Sequence, residues 1–476
     1  MRKLSYILLL AILVTISGCH DHTSKHKAQK NVKDTIDLPQ ILKRDTLVAL
    51  TAFSSTSYFI YKGQAMGYEY ELLKKFTEHL GVNLRMVVIR DMDSIFSYLN
   101  NNEVDLVAYA LTVTNSRKKE AAFTVPLQYT EQVLVQRLPD NWRNMTRDNI
   151  DKQLVTNVVD LIGKDVYVKR GSPYYSRLVN LMSELGDTIN IHVVNQDFTT
   201  EELISKVAEG EIPYTVADKT IADLANSGYD NLDTRLKISF PQRLAWATRK
   251  SSPKLIAELN SWLESIKNTS YYNILYNKYY KNRSRYKQMA SSDFFSHSGT
   301  SISPYDDLFK KAAKELHWDW RLLAAQVYQE SRFDPWAESW MGAVGLMQIM
   351  PETAGMYGDY DLWEPDQNIE AGVQHLKWLY TIFDNDIDSM DHIKFTLASY
   401  NVGPGHVGDA RKLAAKYGKD PNKWDDNVSE MIILKSEKKY YTDPVVEHGY
   451  CRGIETFNYV KSIMERYEHY KQFFEK

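Results

Sequence analysis

Trp320-Arg321-Leu322-Leu323-Ala324-Ala325-Gln326-Val327-Tyr328-Gln329-Glu330-Ser331-Arg332-Phe333-Asp334-Pro335 sets the character of the C-terminal part of this chain. Leu322, Leu323 and Val327 recur at helical spacing and lead to Glu330, so an apolar helix face runs up to a carboxylate. Pro335 cannot continue a helix and restricts the residue before it, so the helix must stop close to Glu330. Working outward, Ile369, Val373, Leu376, Tyr380 and Phe383 repeat at three- and four-residue steps, and His392 to Tyr400 and Thr456 to Tyr467 have the same pattern. From Tyr305 onward no strand pattern interrupts the helices, which predicts an all-α domain over 301–476.

Toward the N-terminus the pattern changes. Residues 281–300 are polar, rich in Ser and poor in aliphatics, the composition of an interdomain linker. Before them, short apolar runs at Thr46 to Leu50, Leu84 to Ile89 and Val104 to Ala108 alternate with helical segments at Tyr70 to Leu80 and Ile95 to Leu99. A second block runs through Val166 to Val168, Leu178 to Leu185 and Ile191 to Val194, and a helical stretch from Pro253 to Lys278 closes the region. Alternation of this kind predicts βαβ units, mainly parallel sheets and two α/β lobes over 45–280.

The chain has 476 residues, enough for two or three domains with cores of their own. Its formal charge is −3 and no long Lys/Arg block occurs, which excludes the electrostatic footprint of a nucleic-acid partner. Arg2 and Lys3 precede an apolar run from Tyr6 to Ile16, too short to span a bilayer as a helix, which reads as an export signal over 1–18. It closes on Ile16-Ser17-Gly18-Cys19, which resembles a bacterial lipobox and implies lipidation of Cys19. The alternative is an ordinary signal with an incidental cysteine, but no A-x-A-like site lies nearby. Residues 19–44 then form a polar tether, and its scattered histidines His20, His22 and His26 suggest no metal site. Once the leader is removed the formal charge becomes −5, because residues 1–18 hold two basic residues and no acidic one. Of the two cysteines, Cys19 is then an anchor and Cys451 is left without a disulfide partner.

Four blocks carry the C-terminal chemistry: Glu330-Ser331, Gly345-Leu346-Met347-Gln348, Ala398-Ser399-Tyr400-Asn401 and Glu455-Thr456-Phe457-Asn458-Tyr459. In this order they resemble the soluble-type lytic transglycosylases, whose SLT fold is related to goose-type lysozyme. The resemblance implies that Glu330 is the catalytic acid and base. It also implies that Ser331, Ser339, Gln348, Met350, Tyr400 and Asn401 line the sugar subsites and that Tyr459 orients the acid. The plain alternatives are core packing for Met350, aromatic packing for the two tyrosines and a turn for Ser339. Asp334, four residues after Glu330, is either a structural turn residue or a second carboxylate. A glycosidase that uses water needs two carboxyl groups. The transglycosylase resemblance needs only one, because the sugar's own C6 hydroxyl attacks and leaves a 1,6-anhydro end. Gly403-Pro404-Gly405-His406-Val407-Gly408 fits G-x-G-x-x-G, but it follows a helix instead of a strand, which removes the dinucleotide reading.

In the α/β region, Gly67 to Lys74, Thr112-Val113-Thr114-Asn115-Ser116-Arg117 and Phe123 to Pro126 resemble the family 3 solute-binding proteins. That family's pattern implies that Arg117 clamps a ligand carboxylate, a task suited to a guanidinium fork. It assigns Thr112 and Ser172 to ligand contacts and Asp218 to the ligand ammonium. The alternative for Arg117 is a solvated cation at a helix start. The resemblance implies an amino acid or a cell-wall peptide as ligand, and Asn115, Ser116 and Tyr109 depart from the family's pattern, which argues against a free amino acid.

Together the two resemblances are those of the membrane-bound lytic murein transglycosylase F type. They imply a two-lobed periplasmic-binding-protein-like domain followed by an SLT domain. The implied partners are glycan strands, a regulatory ligand and a membrane reached through the lipid, with no cofactor or metal. His20 instead of Asp after the lipidated cysteine favours the outer membrane, facing the periplasm. The competing functions are a hydrolytic muramidase and a binding lipoprotein without catalysis.

Overall fold

Aliphatic and β-branched runs separated by turn residues build two sheets in the computed structural model, which describes residues 36–475 except 196, 197, 298 and 384–386. The export signal, Cys19 and the tether up to residue 35 lie outside the described residues. The first sheet has the order Asn83–Ile89, Thr46–Ala52, Leu106–Thr112, Gln242–Thr248, Ala122–Phe123, and Gln128–Thr130 also pairs with Gln242–Thr248. The second has the order Asn190–Val194, Asp165–Lys169, Tyr214–Asp218, Gln132–Arg137, Leu232–Asp233. In each sheet the first three strands are parallel. The next strand is antiparallel, Gln242–Thr248 in the first lobe and Gln132–Arg137 in the second. Both sheets are therefore mixed, and in each the antiparallel strand is one that enters from the other lobe. The chain passes between the lobes twice, after Gln128–Thr130 and before Gln242–Thr248.

The expected elements form close to where the periodicity put them. The closing helical stretch divides into Pro253–Lys267 and Ser270–Tyr276, because the Thr269 side chain accepts from the Tyr272 N–H and starts a new helix.

Two segments that looked polar and unstructured are built into the fold. Within the expected tether, Leu38–Lys43 is a helix whose Ile41 is fully buried, and Asp37 accepts from the N–H groups of Lys254 and Leu255. Within the expected linker, Arg283–Ala290 is helical, capped by the Asn282 side chain, and Phe295 is fully buried in the first lobe's core. Two aromatic residues among serines leave no periodicity to read, yet one of them anchors the segment.

The C-terminal domain is helical, led by Asp306–Leu316, Trp320–Ser331, Pro365–Thr381, Ser389–Val402, Pro404–Lys416 and Gly453–Phe473. The first residue of Gly403–Gly408 precedes the Pro404–Lys416 helix and the rest lie within it, with no strand before them. Every residue from Trp320 to Val327 is buried, so this helix is the central member of its domain. Burying each large aliphatic side chain there contributes about 1.5–3 kcal/mol.

A hairpin, Phe59–Tyr61 with Gln64–Met66, reaches from the first lobe into the helical domain. Lys62 (φ 47) and Gly63 (φ 76) make its turn, both left-handed as a tight hairpin turn demands. Ile60 joins the helical domain's core, and the Tyr470 hydroxyl donates to the Gly63 carbonyl at 2.8 Å. The strand edge at Tyr61 bridges to Phe295.

Candidate active site and ligand cleft

The Trp320–Ser331 helix begins at Asp319, whose side chain accepts from the Arg321 N–H, and ends in two consecutive left-handed residues, Arg332 (φ 55) and Phe333 (φ 66). Side-chain-bearing residues in that region store roughly 1 kcal/mol or more of strain each. Packing holds the Phe333 turn, with the ring 5.4 Å from Tyr328 and 5.9 Å from Phe309. Glu330 thus sits on a rigid helix end just before a sharp reversal of the chain.

Its carboxyl is enclosed by protein while the residue keeps a partly accessible surface. Burial pushes it up from 4.5 to about 7, opposed by a hydrogen bond that the Tyr459 hydroxyl donates to Oε1. Tyr459 comes from Gly453–Phe473 and Tyr400 from Ser389–Val402, so three helices meet at the carboxyl. Burial and the charge of Glu330 raise both phenols far above their ordinary range, so both remain neutral donors. The Tyr400 hydroxyl donates to the Met347 carbonyl at 2.9 Å, tying the Gly345–Gln348 block to the same centre.

The other predicted residues take several different places around this centre. Asn401 accepts from the Thr456 hydroxyl at 2.8 Å, which ties two of the quoted blocks together. Ser339 and Gln348 organise the loop after Glu330: Ser339 Oγ accepts from the Ala343 N–H, and Gln348 donates to the carbonyls of Ala337 and Gly345. Met350 stands half-buried before the short Pro351–Ala354 helix. Ser331 is buried and its hydroxyl donates back to the Val327 carbonyl, within its own helix. Asp334 is exposed and its carboxylate accepts from the Trp336 N–H two residues on, the geometry of a turn residue.

Sequence reasoning missed three contributors. Gln326, one turn before Glu330 on the same helix face, donates to the Tyr459 hydroxyl at 3.4 Å, and its i−4 spacing was the available signal. Thr456 stood inside a quoted block without a role. His375 lies 5.4 Å from the Tyr400 ring and is pushed down to about 4 by burial, hence neutral. Its place had no local signal.

In the α/β part, Thr112, Arg117, Ser172 and Asp218 line one cavity between the lobes, together with Tyr109 and Tyr174. The Arg117 guanidinium donates to the Thr112 carbonyl at 3.1 Å, and burial lowers its pKa. Asp218 accepts from the Tyr174 hydroxyl at 3.2 Å and is pushed up by burial to about 7. Ser172 donates to the Lys169 carbonyl at 2.7 Å and starts the Pro173–Leu185 helix. The lobes touch across this cavity: Glu201 Oε1 accepts from Ser55 N and Oγ at 3.2 and 2.8 Å, and Lys169 donates to the Arg90 carbonyl at 2.9 Å. Among the described residues no cluster of three or more His, Cys, Asp or Glu side chains could hold a metal ion.

Residues 307–423 match the transglycosylase SLT domain, and residues 48–282 match the bacterial extracellular solute-binding proteins, family 3. A membrane-bound lytic murein transglycosylase F of Desulfosudis oleivorans is 33% identical over 474 residues, covering 99% of this chain and 98% of the relative. One of Shewanella pealeana is 30% identical, covering 97% of this chain and 91% of the relative. Among solved structures, an ancestral amino acid-binding protein, a precursor of cyclohexadienyl dehydratase, aligns with a TM-score of 0.43 at 24% identity, over 51% of this chain and 99% of that one. With two matched parts in the same order and relatives aligned end to end, the chain belongs to the membrane-bound lytic murein transglycosylase F family.

Proposed function

We propose that this chain is a peptidoglycan lytic transglycosylase that cleaves the β-1,4 bond between N-acetylmuramic acid and N-acetylglucosamine without consuming water. Glu330, protonated, gives its proton to the glycosidic oxygen as the C1–O bond breaks. Its carboxylate then takes the proton of the muramic acid C6 hydroxyl while that oxygen bonds to C1. The product ends in 1,6-anhydro-N-acetylmuramic acid, and Glu330 regains its proton. One group serves as acid and then base, which requires a pKa near the working pH. The observation that carries this reading is the buried Glu330 carboxyl, held near 7 beside Tyr459. The exposed, turn-bound Asp334 speaks against a two-carboxylate hydrolase. Tyr400, Asn401, Ser339, Gln348 and Met350 are read as the surroundings of the sugars. Ser331 is read as a neighbour of the acid that holds its helix turn.

We further propose that residues 45–280 bind an amino acid or cell-wall peptide through Thr112, Arg117, Ser172 and Asp218, and that binding regulates the catalytic part at 301–476. The hairpin that carries Gly63 into the helical domain is one physical link between them, and the Gly453–Phe473 helix adds others, among them Lys461 donating to Asn83 and Gln472 accepting from the Val88 N–H. Anchoring is assigned to a lipid on Cys19 at the outer membrane, with the enzyme facing the periplasm. Among the described residues no helix is long and apolar enough to cross a membrane.

Mass spectrometry of murein digested by the wild type and by Glu330→Gln tests the catalytic reading. Products lighter by one water than those of a hydrolase are expected from the wild type, and near-complete loss from the variant. Reducing ends from the wild type, or unchanged turnover by the variant, would reject it. Cys19→Ser is expected to move the chain from the membrane to the soluble fraction.

A further inference from the structure

The interlobe cavity has two differently charged ends. Its outer end is lined by the cations Arg117 and Lys169 together with Asp218 and Glu201. Its inner end is lined by Asp218, Glu201, Gln128, Tyr109, Tyr280 and hydroxyl-bearing Ser and Thr side chains, with no Lys or Arg among its lining residues. Two acceptors there have no hydrogen-bond partner among the described residues: Gln128 Oε1, on a side chain 8% exposed, and Asp218 Oδ1. An acceptor buried without a donor has lost its water and gained nothing in return, so this end is incomplete until a donor-rich group fills it.

We propose that the inner end is a specificity subsite for a second cationic group, so that the cleft selects a diamino carboxylic acid, free or as a residue of a peptide. Arg117 takes the carboxylate and Asp218 the first ammonium. The second ammonium is held between Glu201, Gln128 Oε1 and the surrounding hydroxyls. The first ammonium satisfies Asp218 Oδ1 with either ligand, but an alkyl chain ending in a methyl group would leave Gln128 Oε1 unmatched, whereas a second ammonium supplies three donors and a charge of the right sign. This inference rests on the reading of the cleft as the ligand site and adds to it the chemistry of the ligand's far end.

The test compares L-lysine with L-norleucine, which has the same chain without the terminal nitrogen, and alanyl-lysine with alanyl-norleucine. Binding to the full-length protein is measured by calorimetry at pH 7.5. Lysine or its dipeptide is expected to bind at least tenfold more tightly than its norleucine counterpart, and the preferred member of that pair tells a free amino acid from a peptide-borne one. Glu201→Gln should bring the lysine-to-norleucine ratio below threefold. The ratio is the readout because Glu201 also bridges the lobes through Ser55, and a lost bridge weakens both ligands alike. Gln128→Met, which leaves that bridge intact, should lower the ratio as well. Norleucine binding within twofold of lysine in the wild type overturns the inference and leaves the ligand-site reading standing. Binding of none of the four overturns both.

Discussion

Replacing Glu330 by Gln is expected to abolish activity and, above neutral pH, to stabilise the protein. The buried carboxyl has its pKa raised to about 7 from an ordinary 4.5. Below 4.5 it is neutral whether the chain is folded or unfolded, so its burial carries no charge penalty. As pH rises toward and through 7 the unfolded chain is already ionised and the folded chain resists ionisation, so stability falls. At about 1.36 kcal/mol per pKa unit, the full penalty is ~3 kcal/mol once both states are charged. At pH 5 most of that penalty is still absent. The substituted amide keeps an oxygen to accept the Tyr459 hydrogen bond and cannot ionise. The gain in stability should therefore be about 2–3 kcal/mol larger at pH 8 than at pH 5. Hydrogen exchange of amides in the Trp320–Ser331 helix reads this region apart from the α/β lobes. Equal protection of wild type and variant at pH 8, or a gain that is the same at both pH values, would refute the account of Glu330 as a buried acid.

Three further perturbations probe the surroundings of this centre. Tyr459→Phe removes a donor that favours the ionised carboxyl. The Glu330 pKa should rise by about 1–2 units, and the alkaline limb of the murein turnover profile should move up with it. An unmoved or lowered limb would contradict the hydrogen bond's role. Gly63→Ala should lower the melting temperature and slow turnover, because the new methyl would lie 2.6 Å from Phe333, 2.7 Å from Tyr328 and 2.9 Å from the Tyr470 hydroxyl, at a left-handed position. Strain and overpacking together should cost roughly 2 kcal/mol or more. Lys435→Met should cost about 3–5 kcal/mol in urea unfolding, because it strands the buried Asp409, which lies 2.7 Å from the lysine nitrogen. Despite its burial, Asp409 is held down to about 2 by the N–H groups of Glu447 and His448 and by Lys435. Its contribution is therefore present above about pH 4 and fades as pH falls toward 2, so the variant's deficit should shrink in acid.

Much of the site was written locally. Helical periodicity and Pro335 were enough to put Glu330 at a helix end, whereas Tyr400 and Tyr459 were named only by the resemblance of blocks scattered over more than a hundred residues to the soluble-type lytic transglycosylases. The two lobes followed from the alternation of strands and helices, because side-chain period is a property of neighbouring residues. Strand direction was less legible: a strand borrowed from the opposite lobe looks the same in sequence as one that follows in order.

What only the tertiary structure decided concerns contacts between residues far apart in the chain. The rise of Glu330 to about 7 comes from burial by three helices, and no spacing rule encodes desolvation. The Tyr459–Glu330 and Thr456–Asn401 hydrogen bonds, the neutral His375 and the orphaned acceptors of Gln128 and Asp218 have the same origin. The hairpin turn Lys62-Gly63 is a local signal, but that it lands on Tyr328, Phe333 and Tyr470 depends on how two domains pack. By itself the sequence determined which elements form and which residue types carry the chemistry, since propensity, capping and periodicity act over a few residues. Packing decided which of those residues meet, how dry they are and therefore how they titrate.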